Sequence, residues 1–356
     1  MKERKMIEST RPMRPIGLIG LIGLVGLMGC SQSETVEPTS GEGVAIAFST
    51  NMPEQQAVVR STPLEDYCQS FRVWSYKNME MTGDSYGTYQ TVMDNYTVNW
   101  EANTAGTSIS NSHDWEYVNG TTQHVHFWDF SAKAYRFFAV APASATGTFA
   151  LSTGGESFTA KLTVDASSEA TVNASPYISQ LWFSNNNIID YPDKPYGQQV
   201  TLKFIKPMAR VRFMFVFNED LDFGRSDLTE ITFHPTDNSQ ITTKGDVTIA
   251  YPLTGTETEM TVSSVATDGI DAFETDEQWY YVLPAPSQGT YTLNLKVLSE
   301  PKTAVVPASY MTWEAGKEYT YVFRITDADR VVIDAVQVGV KDWNDAGDKD
   351  RTIYNW

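Results

Sequence analysis

Apolar side chains in this sequence recur at every second residue, and no long stretch repeats them at the spacing of a helix. The plainest case is Ala209-Arg210-Val211-Arg212-Phe213-Met214-Phe215-Val216-Phe217, where Arg210 and Arg212 alternate with Val211 and Phe213. A period of two sends neighbouring side chains to opposite faces of a strand, whereas one helix face needs a period near 3.6. Such runs are short here, and Gly, Pro, Asn and Asp bound them. Many short alternating runs separated by turn residues describe β-sandwiches, so an all-β fold is expected.

Strands are expected at residues 44–49, 67–76, 88–100, 124–128, 134–142, 149–151, 160–164 and 181–184. In the first of these, Val44, Ile46 and Phe48 share one face. A second block should open at 199–204 and continue with 209–217, 228–234, 246–250, 259–265, 279–284, 291–297, 319–325 and 336–340. Between the blocks lies Asp190-Tyr191-Pro192-Asp193-Lys194-Pro195-Tyr196-Gly197. Two prolines so close together cannot continue a ladder, so domains are expected at 43–193 and 197–356.

The start of the chain is of another kind. Lys2, Arg4, Lys5, Arg11 and Arg14 precede an apolar run over residues 16–28. That run is shorter than the roughly 20 residues a spanning helix needs, and a basic start with a short apolar core is a secretory signal. Its end, Leu27-Met28-Gly29-Cys30, resembles a bacterial lipobox. The resemblance implies cleavage after residue 29 and acyl chains on Cys30, each buried CH₂ contributing about 0.8 kcal/mol to membrane attachment. Residues 30–42 are small, polar and acidic and read as a flexible tether. Ser31 carries no sign of inner-membrane retention, so the outer membrane is the expected destination.

The formal charge is −18, and removing the net-positive first 29 residues leaves the remainder more acidic still. An acidic surface disfavours nucleic acid as a partner. With Cys30 acylated, Cys68 has no cysteine to pair with and reads as a small buried strand residue. No nucleophile elbow, zinc-binding His-Glu-x-x-His, P-loop or dinucleotide turn occurs, so no catalytic residue and no cofactor are expected. His124 and His126 have the spacing to share a strand face, with His113 and Asp114 nearby in sequence. No third ligand has motif spacing, so the pair reads as a polar strand face and no metal is expected. Asn95, Asn119 and Asn173 begin Asn-x-Ser/Thr triplets that read as exposed turns. The acidic stretch 342–350 lacks the spaced ligands of a calcium loop. Trp115, Tyr117, Trp128 and Trp182 have the chemistry to stack on sugars, but core packing is the expected fate of such residues.

Four places together resemble the fimbrillin (Mfa-like) family of type V pilus subunits and anchors. They are Tyr135-Arg136-Phe137-Phe138-Ala139-Val140-Ala141-Pro142, Leu202-Lys203-Phe204-Ile205-Lys206-Pro207-Met208-Ala209-Arg210-Val211, the pair Tyr281-Val282-Leu283-Pro284 and 291–297, and the closing Gly316-Lys317-Glu318-Tyr319-Thr320-Tyr321 with Val338-Gly339-Val340-Lys341-Asp342-Trp343. At 206–209 the family often has His-x-Leu-Ala, and this chain departs from it. The resemblance implies two tandem transthyretin-like β-sandwiches and a non-catalytic, lipid-anchored stalk, anchor or tip subunit of a surface fimbrium. It also implies partners: other pilus subunits through strand exchange, the outer membrane through Cys30, and ligands on host or bacterial surfaces. In the family a trypsin-like protease cuts after the first strand. Arg60, followed by Ser61, is the only basic residue between Cys30 and Arg72 and is the matching position. A monomeric glycan-binding surface lipoprotein stays open as the other reading, to be told apart by an aromatic platform on an exposed face.

Overall fold

Strands form where the sequence alternates. The computed structural model describes residues 43–51, 64, 68–100, 115–118, 122–184, 197–285, 288–326, 333–342 and 353–355. In chain order the strands begin with β1 (Phe48–Asn51), β2 (Ser70–Asn78), β3 (Met81–Thr82), β4 (Ser85–Tyr86), β5 (Tyr89–Trp100), β6 (Trp115–Glu116), β7 (Ala134–Ala141), β8 (Thr148–Leu151) and β9 (Ser157–Asp165). A six-residue helix, α1 (Glu169–Ala174), follows, its start capped by the Ser168 hydroxyl, which accepts from the Thr171 N–H. Then come β10 (Tyr177–Ser184), β11 (Val200–Lys203), β12 (Ala209–Phe217), β13 (Leu228–Pro235), β14 (Ile241–Pro252), β15 (Thr261–Ile270), β16 (Tyr280–Val282), β17 (Tyr291–Val297), β18 (Glu300–Val306), β19 (Lys317–Ile325), β20 (Ile333–Asp342) and β21 (Ile353–Asn355). The fold is all-β, as the alternation requires.

Two five-stranded sheets dominate, ordered β10-β7-β2-β5-β6 and β16-β12-β19-β20-β21. A four-stranded sheet β15-β14-β9-β8, a three-stranded sheet β13-β17-β18 and the parallel pair β1-β11 complete the layers, with β3-β4 as a small hairpin. Three apolar clusters lie between them. In the first, Ile46 and Phe48 meet Phe71, Phe137 and Leu202. The second joins Trp74, Phe138 and Val140 to Phe158, Leu162, Val247 and Ile249. In the third, β12 and β19 pack on β13 and β17 through Phe213, Phe323, Phe233 and Leu293.

All eight residues of β7 are buried, because its two faces serve different clusters. Such a strand loses its alternation and reads as a continuous apolar run, which is what Ala134-Tyr135-Arg136-Phe137-Phe138-Ala139-Val140-Ala141 is, with one exception. Arg136 is buried; its guanidinium donates to Asn78 Oδ1 and to the Glu257 carbonyl, both at 3.4 Å. Burial holds its pKa down at about 10.

From Gly43 onward the described residues form one compact unit. Strands from the two sides of the proline-rich link pair with each other: β1 with β11, Phe48 opposite Val200, and β9 with β14, Leu162 opposite Val247. β14 itself starts at Ile241 in the third cluster and continues through Val247 and Ile249 in the second. One expected strand is absent. Residues 124–128 form no strand and make a single bridge, Phe127 to Ala45.

Candidate functional site

The most distinctive feature is the way the first segment is seated. Burial alternates along it: Ile46, Phe48 and Thr50 are buried, while Val44, Ala45, Ala47 and Ser49 are half-exposed. The Phe48 ring stands edge-on to Phe71, Tyr117 and Phe137, with centroids 5.9, 5.7 and 6.1 Å away. Edge-to-face pairs of this kind contribute beyond the area they bury. Burying Phe48 and Ile46 contributes roughly 1.5–3 kcal/mol each.

Both edges of the segment are bonded. On one side the Ile46 N–H donates to the His126 carbonyl and the Trp128 N–H to the Val44 carbonyl, each at 2.8 Å. On the other side the Val200 N–H donates to the Ala47 carbonyl at 2.7 Å, and β11 continues the ladder in parallel from Phe48–Val200 to Asn51–Lys203. Side chains close the remaining valences. Tyr117 donates its hydroxyl to the Ile46 carbonyl at 2.8 Å, and Gln199 Nε2 donates to the Phe48 carbonyl at 2.7 Å. The segment therefore lies in a groove with a floor of aromatic rings and two polar rims of backbone.

Burial pushes the Tyr117 phenol well above its ordinary pKa. His126, its Nε2 3.0 Å from the Tyr96 hydroxyl, has its pKa lowered by burial and then by His124. What the groove can do is hold an extended segment with an apolar residue at every second position.

Of the residues singled out from sequence, Val44, Ile46 and Phe48 come together here, Val44 at the partly open end. Cys30, Arg60, Ser61, His113, Asp114 and Asn119 lie outside the described residues. Trp115, Tyr117 and Trp128 are core residues, so none offers a face to a sugar; the side chain of Trp182 lies outside the described set. His124 is exposed and His126 half-buried. His234 sits elsewhere, hydrogen-bonded to Asn294 and the Pro235 carbonyl. Asn95 has the positive φ of a turn residue within β5, and Asn173 lies in α1 rather than in a turn. Cys68 is half-buried just ahead of β2, its Sγ 3.5 Å from the Ser70 carbonyl oxygen. Among the described residues no three His, Cys, Asp or Glu side chains gather as a metal site, and no helix is long and apolar enough to cross a membrane. Sequence reasoning placed a strand at 199–204 but missed its pairing with the first segment and the bond from Gln199. Nothing in a sequence marks two strands 150 residues apart as a parallel pair.

A model of fimbrillin-like proteins matches residues 66–343. Among solved structures, the chain is similar to a proposed cell adhesion protein from Bacteroides uniformis, at 17% identity and a TM-score of 0.37, covering 84% of this chain and 99% of that one. A fimbrial assembly protein from Parabacteroides distasonis is similar at 10% identity and a TM-score of 0.34, covering 88% and 100%. No curated protein matches the sequence.

Proposed function

Because the chain belongs to the fimbrillin-like family, we propose that it is a lipid-anchored subunit of a cell-surface fibre that joins its neighbours by exchanging its first strand. Fimbrillin-like proteins are structural and adhesive rather than enzymatic, and they work at the cell surface. One observation supports the finer reading. The segment at 44–50 fills an aromatic groove through two fully buried side chains and is bonded along both edges. A groove built this way accepts any segment with the same alternation, so a strand from a second subunit can replace the first.

Replacement requires the resident strand to leave, and Arg60 is where cutting would free it. Treatment of the full chain with an Arg-specific protease is expected to yield a new N-terminus at Ser61 and polymers on native gels. Polymers that form equally well from an Arg60→Gln chain, or cutting at Arg60 without any change in assembly, would overturn strand exchange.

The anchor is tested separately. Cys30→Ala is expected to abolish incorporation of a clickable fatty acid and to move the chain from the membrane to the soluble fraction. Undiminished labelling would remove Cys30 as the attachment point. Cutting at Arg60 separates the body from Cys30, so in this reading uncut chains are the ones held at the outer membrane.

A further inference from the structure

A cavity of about 890 Å³ opens between residues 166–173, which run into α1, and residues 277–281, which run into β16. It is remote in sequence from the groove of the first strand, and no step of strand exchange uses it. We infer that this cavity binds a neutral carbohydrate, a short run of uncharged sugar units.

The argument begins with Trp279. Its indole is half-buried, and the guanidinium groups of Arg210 and Arg212 lie 4.4 and 4.5 Å from the ring centre. Both arginines are on β12, two residues apart and so on one face of the sheet. They hold the ring in place, so its position at the cavity wall is set before any ligand arrives. Tyr281, paired with Arg210 across the β16–β12 ladder, places a half-buried phenol in the same cavity.

Charge then narrows the class of ligand. Arg210 is the cation of the lining, and it already donates through Nε and Nη2 to Glu318 Oε2, at 2.9 and 2.5 Å. Glu318 is itself buried, so that positive charge is answered inside the protein. Glu169 and Glu277 add exposed carboxylates to the walls. Phosphates, sulfates and uronates would meet these two carboxylates, while the guanidinium that lines the cavity is already paired with Glu318. An apolar ligand would bury the amide, hydroxyl and carboxylate groups of the walls, Asn173 among them, without partners. A neutral sugar meets both demands. Its C–H face packs on aromatic carbon, its hydroxyls donate to carboxylates and accept from amides, and the cavity volume lies within the usual range for ligand sites.

The test is affinity electrophoresis of the full chain, purified in detergent, in native gels cast with mannan, dextran, pullulan or xylan, and with polygalacturonate as the acidic comparison. At least one neutral polysaccharide is expected to retard the chain, and Trp279→Ala to weaken that retardation at least tenfold. Because Trp279 also packs on two arginines, Asn173→Ala, at an exposed position, is the second variant. It is expected to weaken retardation several-fold with an unchanged melting temperature. The inference is overturned if no neutral polysaccharide retards the chain, if polygalacturonate alone does, or if a correctly folded Asn173→Ala chain is retarded as strongly as the wild type. None of these results bears on whether Arg60 is cut, so the fibre reading stands or falls separately.

Discussion

Phe48→Ala is expected to lower the stability of the chain by about 3–5 kcal/mol, the usual cost of truncating a fully buried phenylalanine. The site has little room to adjust. Phe71, Tyr117 and Phe137 surround the ring edge-on, and each is buried and held in its own strand or segment. Backbone bonds on both edges stop the segment from sliding to fill the gap. A cavity would therefore persist, and its volume adds to the lost transfer energy. Val44→Ala is the comparison. Val44 is half-exposed at the open end of the groove, so its truncation should cost under about 1 kcal/mol. Urea titration followed by tryptophan fluorescence measures both. A loss below about 1 kcal/mol for Phe48→Ala would mean that the first strand is not an integral part of the core.

Stability is also expected to rise between pH 7 and pH 9 because of one lysine. Lys206 is 2% exposed. Its amine donates to the Ser175 carbonyl at 2.5 Å and the Asn173 carbonyl at 3.2 Å, and lies 3.7 Å from the centre of the Tyr177 ring. These partners are neutral. Burial pushes its pKa down to about 7, against a smaller upward pull from Cys68. In the unfolded chain the amine returns to its ordinary value near 10.4. Below pH 7 both states hold the proton, and the group adds no pH dependence. Above pH 7 the unfolded state binds more protons, so stability grows with pH by up to about 1.4 kcal/mol per unit. Between pH 7.5 and pH 9 the gain should reach about 2 kcal/mol. The buried phenols of Tyr291 and Tyr321, whose pKa values burial raises, act in the opposite direction only as the unfolded tyrosines ionise near pH 10. Urea midpoints at pH 7, 8 and 9 should climb for the wild type and stay level for Lys206→Met. Equal slopes for the two chains would show that the amine keeps its charge in the folded state.

Strands with one wet face were the legible part of this molecule. β12 and β17 have the bounds that alternation or apolar density predicts, since polar residues on one side of β12 mark the solvent direction. β18 was not foreseen, because Glu300-Pro301-Lys302 opens it and an edge strand needs little apolar surface. The expected strand at 124–128 has the right composition, yet it serves as one edge of the groove, bonded to Val44 and Ile46 without a ladder of its own. Lys206 and Arg136 could not be recognised as buried, because the sequence around a charged residue does not show what will cover it. The aromatic residues carry the same lesson. Trp115 and Trp128 look like candidate sugar platforms in the sequence and are core, whereas Trp279, beside a polar cavity, stands in a run read only as a strand.

The bonding of the first strand has a mechanical side. Its backbone hydrogen bonds point sideways, to Val200 and the β11 ladder on one edge and to His126 and Trp128 on the other. When tension reaches the chain from the Gly43 end and runs along the strand, those bonds are loaded side by side, in shear. Several must then give together, while the Phe48 ring is dragged past three others. A pull across the strand would open the same bonds one after another. The seat of the first strand therefore resists a lengthwise tug far better than a sideways peel.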